Sequence, residues 1–170
     1  MANGRINRPA GINSNTSKQE VVIRTDRPIV VDATNHIAGR LASNVAKLLM
    51  QGHRVSVVNC EKIMMSGTRS NQIKEYREFL EINSSIINYK HGPVHYRRPD
   101  TLMAKMIRQM LPYDRKPSGK ESFQRLRTYI GSPQVIKSIE KIQFEKAKIR
   151  KTASNYTQLG ELCRVIGWTE

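Results

Sequence analysis

The chain has 170 residues, enough for one compact domain and short for two. Lys and Arg number 29 against 14 Asp and Glu, a formal net charge of +15, so self-repulsion should be relieved against a polyanion: nucleic acid first, an anionic membrane surface second. No apolar run approaches the roughly 20 residues of a spanning helix, and MANGRINRPAGINSNTSKQE lacks the apolar centre of a secretory signal.

Residues 1–20 are rich in Asn, Ser, Gly and Arg without helical or strand period, which predicts an arm that is mobile or ordered by a partner. VVIRTDRPIVVDA (21–33) is β-branched, and its IVVDA run suits a strand buried on both faces. NHIAGRLASNVAKLLMQG then places Ile37, Leu41, Val45, Leu48 and Leu49 on one helical face, with Asn35 as a candidate cap and Gly52 as the stop. HRVSVVNCEKI supplies a second buried strand around VSVV, so these pieces form a βαβ unit with parallel strands and a right-handed crossover.

SGTRSNQIKEYREFLEI predicts a helix capped by Ser70 or Asn71, with Ile73, Tyr76, Phe79 and Leu80 inward. After the loop GPVHYRRPD comes PDTLMAKMIRQMLP, a helix with Pro99 in its first turn, Asp100 complementing its dipole, and Leu102, Met103, Met106, Ile107 and Met110 inward; Pro112 ends it. SGKESFQRLRTYIGSP predicts a short helix carrying Phe123 and Leu126, then a strand RTYI closed by Gly131 and Pro133. Residues 134–151 mix Lys with Ile and Val without a firm period, leaving helix and extended arm both open. TQLGELCRVIGW puts Leu159, Leu162, Cys163 and Ile166 on one face, with Gly167 just past the helix end. The expected organisation is an arm over 1–20, an α/β core over 21–133, and a basic extension with a C-terminal helix over 134–170.

Chemistry of the catalytic kind finds little support in the residues. His91 and His95 are four apart, but Gly92 and Pro93 between them oppose a helix and no third metal ligand accompanies them, so no metal or other cofactor is expected. Cys60 and Cys163 lack CxxC spacing and read as small buried or half-buried residues, thiols in a reducing compartment. VVDATNHIAGR joins strand to helix as phosphate loops do, yet it has one glycine, Gly39, and neither a GxGxxG nor a GxxxxGK[ST] pattern. Glu75, Glu78 and Glu81 sit on a predicted helix surface beside Lys74 and Arg77, as solvated partners do. A non-enzymatic protein without a small-molecule substrate is the reading that remains.

The cations are more coherent. Residues 90–127 carry ten Lys and Arg against three Asp and Glu. Lys90, Arg97, Arg98, Lys105, Arg108, Arg115, Lys116, Lys120 and Arg125 are candidate RNA contacts from this stretch, interleaved with His91, His95 and Tyr96. The planar fork of Arg holds phosphate oxygens in pairs and stacks on bases, and the rings suit unpaired bases more than a regular duplex. The plainer readings are a solvated charged face for the cations and a ring packed under the loop for Tyr96.

HIAGRLASNVAKLL, VVNCEKIMMSG, GPVHYRRP, MIRQMLP, LRTYIG and LGELCRVIGW resemble, in order and spacing, the universal large-ribosomal-subunit protein family L-thirteen in its eukaryotic and archaeal form, over about residues 29–131 and again at 156–168. The resemblance implies a three-layer α/β/α fold around a mostly parallel four-stranded sheet. It also implies a structural role: binding large-subunit rRNA beside neighbouring ribosomal proteins in the cytosolic particle, with nuclear assembly if the source is eukaryotic. Gly39 and Arg40, Ser66 and Gly67, His95, Arg97, Pro99 and the run Arg108 through Pro112 occupy motif positions, which adds Arg40, Gly67 and the adjacent Arg69 to the expected RNA contacts. Gln109 stands where the family usually has glycine. YDRKPSG is slightly longer than its counterpart and carries Asp114 where the family tends to be basic.

Overall fold

The strand runs IVVD and VSVV pair in parallel as β1 (Ile29–Asp32) and β2 (Val55–Val58), in register from Ile29 opposite Val55 to Asp32 opposite Val58. Helix α1 (Ala38–Met50) crosses between them, so the βαβ unit forms as its hydrophobic pattern requires. These details come from a computed structural model that describes residues 27–82, 92–150 and 155–169. The expected arm, Lys90 and His91 lie outside the described residues.

Alternation along the strands divides the interior in two. Ile29, Val31, Val55 and Val57 join the main core with α1, α3 (Pro99–Met110) and α6 (Leu159–Val165), whereas Val30 and Val58 face the other way, toward Ile136 and half-buried Tyr129. Leu41, Val45 and Leu49 of α1 are fully enclosed, each contributing about 1.5–3 kcal/mol of apolar burial. Leu41→Ala alone is expected to cost about 2–5 kcal/mol.

Two further strands complete the sheet in the order β4-β2-β1-β5, with all neighbours parallel. β4 is Leu126–Thr128 and follows α4 (Pro117–Gln124); β5 is Lys141–Ile142 and follows the one-turn helix α5 (Gln134–Lys137). The segment whose state was open is therefore one turn of helix and then a strand. β5 hydrogen-bonds beside β1, so this part of the segment enters the sheet and does not reach outward. The α/β class with a parallel four-stranded sheet is present; its helices lie mainly on one face, and α5 supplies Ile136 to the other. β3 (Met64–Ser66) and β6 (Tyr156–Gln158) form a separate antiparallel pair that leads into α6.

Helix starts differ from expectation. α1 begins at Ala38 after Ile37, with no side-chain cap, because Asn35 is used in the left-handed region at φ 58° to turn the chain. Thr68, not Ser70 or Asn71, precedes α2 (Arg69–Glu81). Helix ends follow the sequence more closely: Gly52 at φ 96° donates to the Leu49 carbonyl, and Pro99 occupies the first turn of α3. Met110, expected inward, is 51% exposed: it is the last residue of α3 and lies past the part of the helix, up to Ile107, that the core encloses. Leu126 belongs to β4 and not to α4, and Tyr129 and Ile130 lie past the end of that strand.

Both cysteines are buried, Cys60 in the short 3-10 turn after β2 and Cys163 in α6. Burial pushes each thiol up to about 12. They remain protonated and unreactive near neutral pH.

Candidate nucleic-acid interface

The loop Gly92–Arg98 is held at two ends by different parts of the fold. His95 meets Phe79 of α2 edge-on at 4.9 Å, and its Nε2 lies 3.0 Å from the Ile82 carbonyl oxygen. Tyr96 is half-buried against the main core, so the plainer reading of that ring holds for its packing. At the other end Arg97 reaches the C-terminus of α6, lining a shallow pocket with Arg98, Ile130, Gly167 and Trp168.

The adjacent arginines differ in what they touch. Arg98 holds Asp100 through two hydrogen bonds, Nε to Oδ1 at 3.2 Å and Nη2 to Oδ2 at 3.0 Å. Asp100 also accepts the Thr101 backbone N–H at 2.8 Å, so this pair fastens the first turn of α3. Arg97 is exposed and makes no ion pair among the described residues.

On α3, Lys105 and Arg108 lie on the side away from Leu102, Met103 and Ile107. The Lys105 Nζ sits 4.6 Å from the Phe79 ring centroid and 5.6 Å from that of Tyr96. The Arg108 guanidinium stands 3.9 Å over the Tyr113 ring and 3.6 Å from the Asp114 carboxylate. Asp114 thus lowers the local positive field. Arg115, Lys116 and Lys120 are exposed along the loop and α4.

Arg125 is different in kind. Its Nη2 donates to the Leu49 carbonyl and the Ser122 hydroxyl, both at 3.1 Å, as a second donor to a C-terminal carbonyl of α1 that also accepts the Gly52 N–H. This guanidinium ties α4 to α1 from a half-buried position.

Arg40 and Gly67 line a second groove with Ser66, Thr68, Asn155 and Tyr156, where the starts of α1 and α2 approach the β3–β6 pair. Arg69 is adjacent at the start of α2, 4.0 Å from Glu161. Thr68, Asn155 and Tyr156 escaped sequence reading because they carry no charge and two of them come from a distant segment. Trp168 was likewise missed as a neighbour of Arg97; the closing GW was visible, its destination was not.

The strand-to-helix turn weighed as a phosphate loop directs its polar groups inward. Open α/β sheets bind ligands outside the strand carboxyl ends, where the direction of strand addition reverses, here between β1 and β5. Asp32 bridges that gap, accepting from Gln143 Nε2 at 3.0 Å, Asn59 Nδ2 at 2.8 Å, and the Thr34 N–H and hydroxyl at 3.1 and 2.7 Å. Burial pushes the Asp32 carboxyl up, but these hydrogen bonds together outweigh it and hold the group at about 2. His36, fully buried, accepts the Phe144 N–H at Nε2, 3.0 Å, so Nδ1 carries the proton it donates to the Thr34 carbonyl at 2.8 Å. The crevice is closed by the protein's own side chains.

Comparison with known proteins adds an independent line. Residues 26–135 match the model of a family described as ribosomal protein L13. The chain is 41% identical over 142 residues to the large ribosomal subunit protein uL13 of Aeropyrum pernix, covering 84% of this chain and 91% of that one. It is 41% identical over 140 residues to its namesake from Methanosarcina barkeri, covering 81% and 96%. The match to the Sulfolobus acidocaldarius protein of the same name is 34% over 152 residues, covering 89% and 97%.

Proposed function

The chain belongs to the ribosomal protein L13 family, and on that premise we propose that it binds and stabilises folded rRNA as a structural constituent of the large ribosomal subunit. Large-subunit rRNA and adjoining ribosomal proteins are its partners. No helix among the described residues is long and apolar enough to cross a membrane. The working reading is non-enzymatic, and it draws on the closed crevice at the sheet edge as well as on the family. The particle is taken to be cytosolic; a nuclear stage of assembly draws no support from archaeal relatives, whose cells have no nucleus.

Within that role, the basic edge from Arg97 through Lys120 is proposed to meet phosphate, with Arg40 and Arg69 at the second groove as a separate point of contact. The observation that carries this is the exposed cation set Arg97, Arg115, Lys116 and Lys120, which flanks both ends of α3 and continues into α4, on a chain of charge +15. Arg98 and Arg125 serve the fold first. Phosphate contacts supply most of the affinity, and contacts to unpaired bases and RNA shape supply register.

Gradient sedimentation of the tagged chain tests the role: it should co-migrate with the large subunit, and migration at the top of the gradient would contradict it. With about 6–10 phosphate contacts, affinity for an rRNA fragment should fall roughly 10³- to 10⁵-fold between 50 and 200 mM salt. A flat salt dependence would remove the electrostatic basis.

A further inference from the structure

We infer that the open groove beside α3 receives one unpaired RNA nucleotide, its base on the aromatic floor and its phosphate at Lys105 and Arg108. This deepens the rRNA-binding reading and rests on it. The groove has a volume of about 670 Å³, and its lining includes Phe79, Val94, Tyr96, Lys105, Arg108 and Phe123. That volume lies within the roughly 300–1,000 Å³ usual for small-ligand sites.

Three observations select the occupant. The floor is apolar and aromatic, and Val94 stands 63% exposed at its edge, so a flat apolar group entering there removes surface from water. Lys105 is held over two rings, and among the described residues no carboxylate lies within ion-pair distance of it. Arg108 adds a second cation, stacked on Tyr113, and the facing carboxylate of Asp114 cancels only one of the two charges.

An apolar floor under a net positive rim matches a nucleotide, whose base is flat and whose phosphate is anionic. A base within a duplex keeps both faces stacked and cannot enter, so the ligand is a nucleotide from a loop, bulge or end. Gln109, also on the wall, offers an amide donor and acceptor to a base edge. A side chain of a neighbouring protein would satisfy the floor but leave the excess charge unanswered.

The test uses the full chain with two probes of equal charge, an unstructured single strand and a stable blunt duplex with the same total number of phosphates. Ala104 also lines the groove, so Ala104→Leu narrows it without changing charge, and Lys105→Ala removes the rim cation; thermal melts confirm that each folds, and Lys105→Ala carries the test alone if Ala104→Leu does not. The expected result is about tenfold weaker binding of the single strand, with the duplex affected several-fold less. Ultraviolet cross-linking within assembled large subunits should also attach a nucleotide to the peptide containing Tyr96 or Phe79. Unchanged single-strand binding, equal losses on both probes, or a protein neighbour cross-linked at this groove would overturn the inference. If the wild-type chain meanwhile co-migrates with the large subunit and keeps its salt-dependent rRNA binding, the broader role stands; loss of both in the wild type removes that role as well.

Discussion

Arg97 and Gly167 are in contact across 70 residues of sequence: a Cβ built on Gly167 would lie 2.8 Å from the Arg97 Nη1. Gly167 is also at φ 100°, a conformation that side chains rarely adopt. The turn after α6 therefore leaves the space in which Arg97 lies, and the C-terminal GW helps set where the basic loop presents its charge.

Gly167→Ala should accordingly act twice. Backbone strain is expected to lower stability by about 1–2 kcal/mol, and the Arg97 guanidinium should swing away from α6. Urea unfolding measures the first effect. The second appears as weaker rRNA-fragment binding at fixed salt under conditions where the variant is fully folded; unchanged binding would separate the C-terminus from the interface.

Single substitutions of the arginine pair should separate what a double substitution merges. Arg97→Ala is expected to leave the unfolding midpoint nearly unchanged and to lower the salt slope of RNA binding by about one phosphate contact. Arg98→Ala releases Asp100 and should cost about 1 kcal/mol of stability, the upper end for a pair whose arginine is largely exposed and whose carboxylate is mostly covered. Equal stability losses for both would mean that Arg97 also has a structural duty.

Arg125→Ala should destabilise the protein by about 1.5–3 kcal/mol, because charge-assisted hydrogen bonds to Leu49 and Ser122 are lost. The salt slope of RNA binding by the folded fraction should not move. A lower slope with intact stability would return Arg125 to the interface.

Acid should weaken the sheet edge through Asp32. Its folded-state carboxyl is held at about 2 against an ordinary 3.8, so its stabilising contribution is fully present above pH 4 and disappears as pH falls through about 2. Asp32→Asn should lower stability at neutral pH and make the remaining acid dependence shallower. Parallel acid limbs for the two proteins in chemical unfolding between pH 4 and 2 would contradict this.

Much of the scaffold was legible because its cause is local. IVVD and VSVV are short β-branched runs, α1 repeats its apolar residues at helical spacing, and Leu159, Leu162, Cys163 and Ile166 recur on one face of the final helix; all four are buried. Burial acts on that periodicity directly, so the period survives in the sequence. β5 was not legible, since a strand of two residues has no period to detect and is recruited by the free edge of β1. The helix starts were misplaced for a related reason: neither α1 nor α2 uses a side-chain cap, and their entry is set by turns at Asn35 and Gly67.

Sequence by itself determined that this chain is strongly cationic, that the excess gathers in residues 90–127, and that a parallel βαβ unit carries it, because charge and hydrophobic period are properties of the residues in order. Tertiary structure alone decided which cations face outward. Arg125 turned to the α1 carbonyl, Arg98 to Asp100 and Arg108 to Tyr113 and Asp114, while Arg97 came to rest in the space beside Gly167. A guanidinium goes to whichever acceptor or ring the packed chain brings within reach, and those partners include residues as far as 76 positions away.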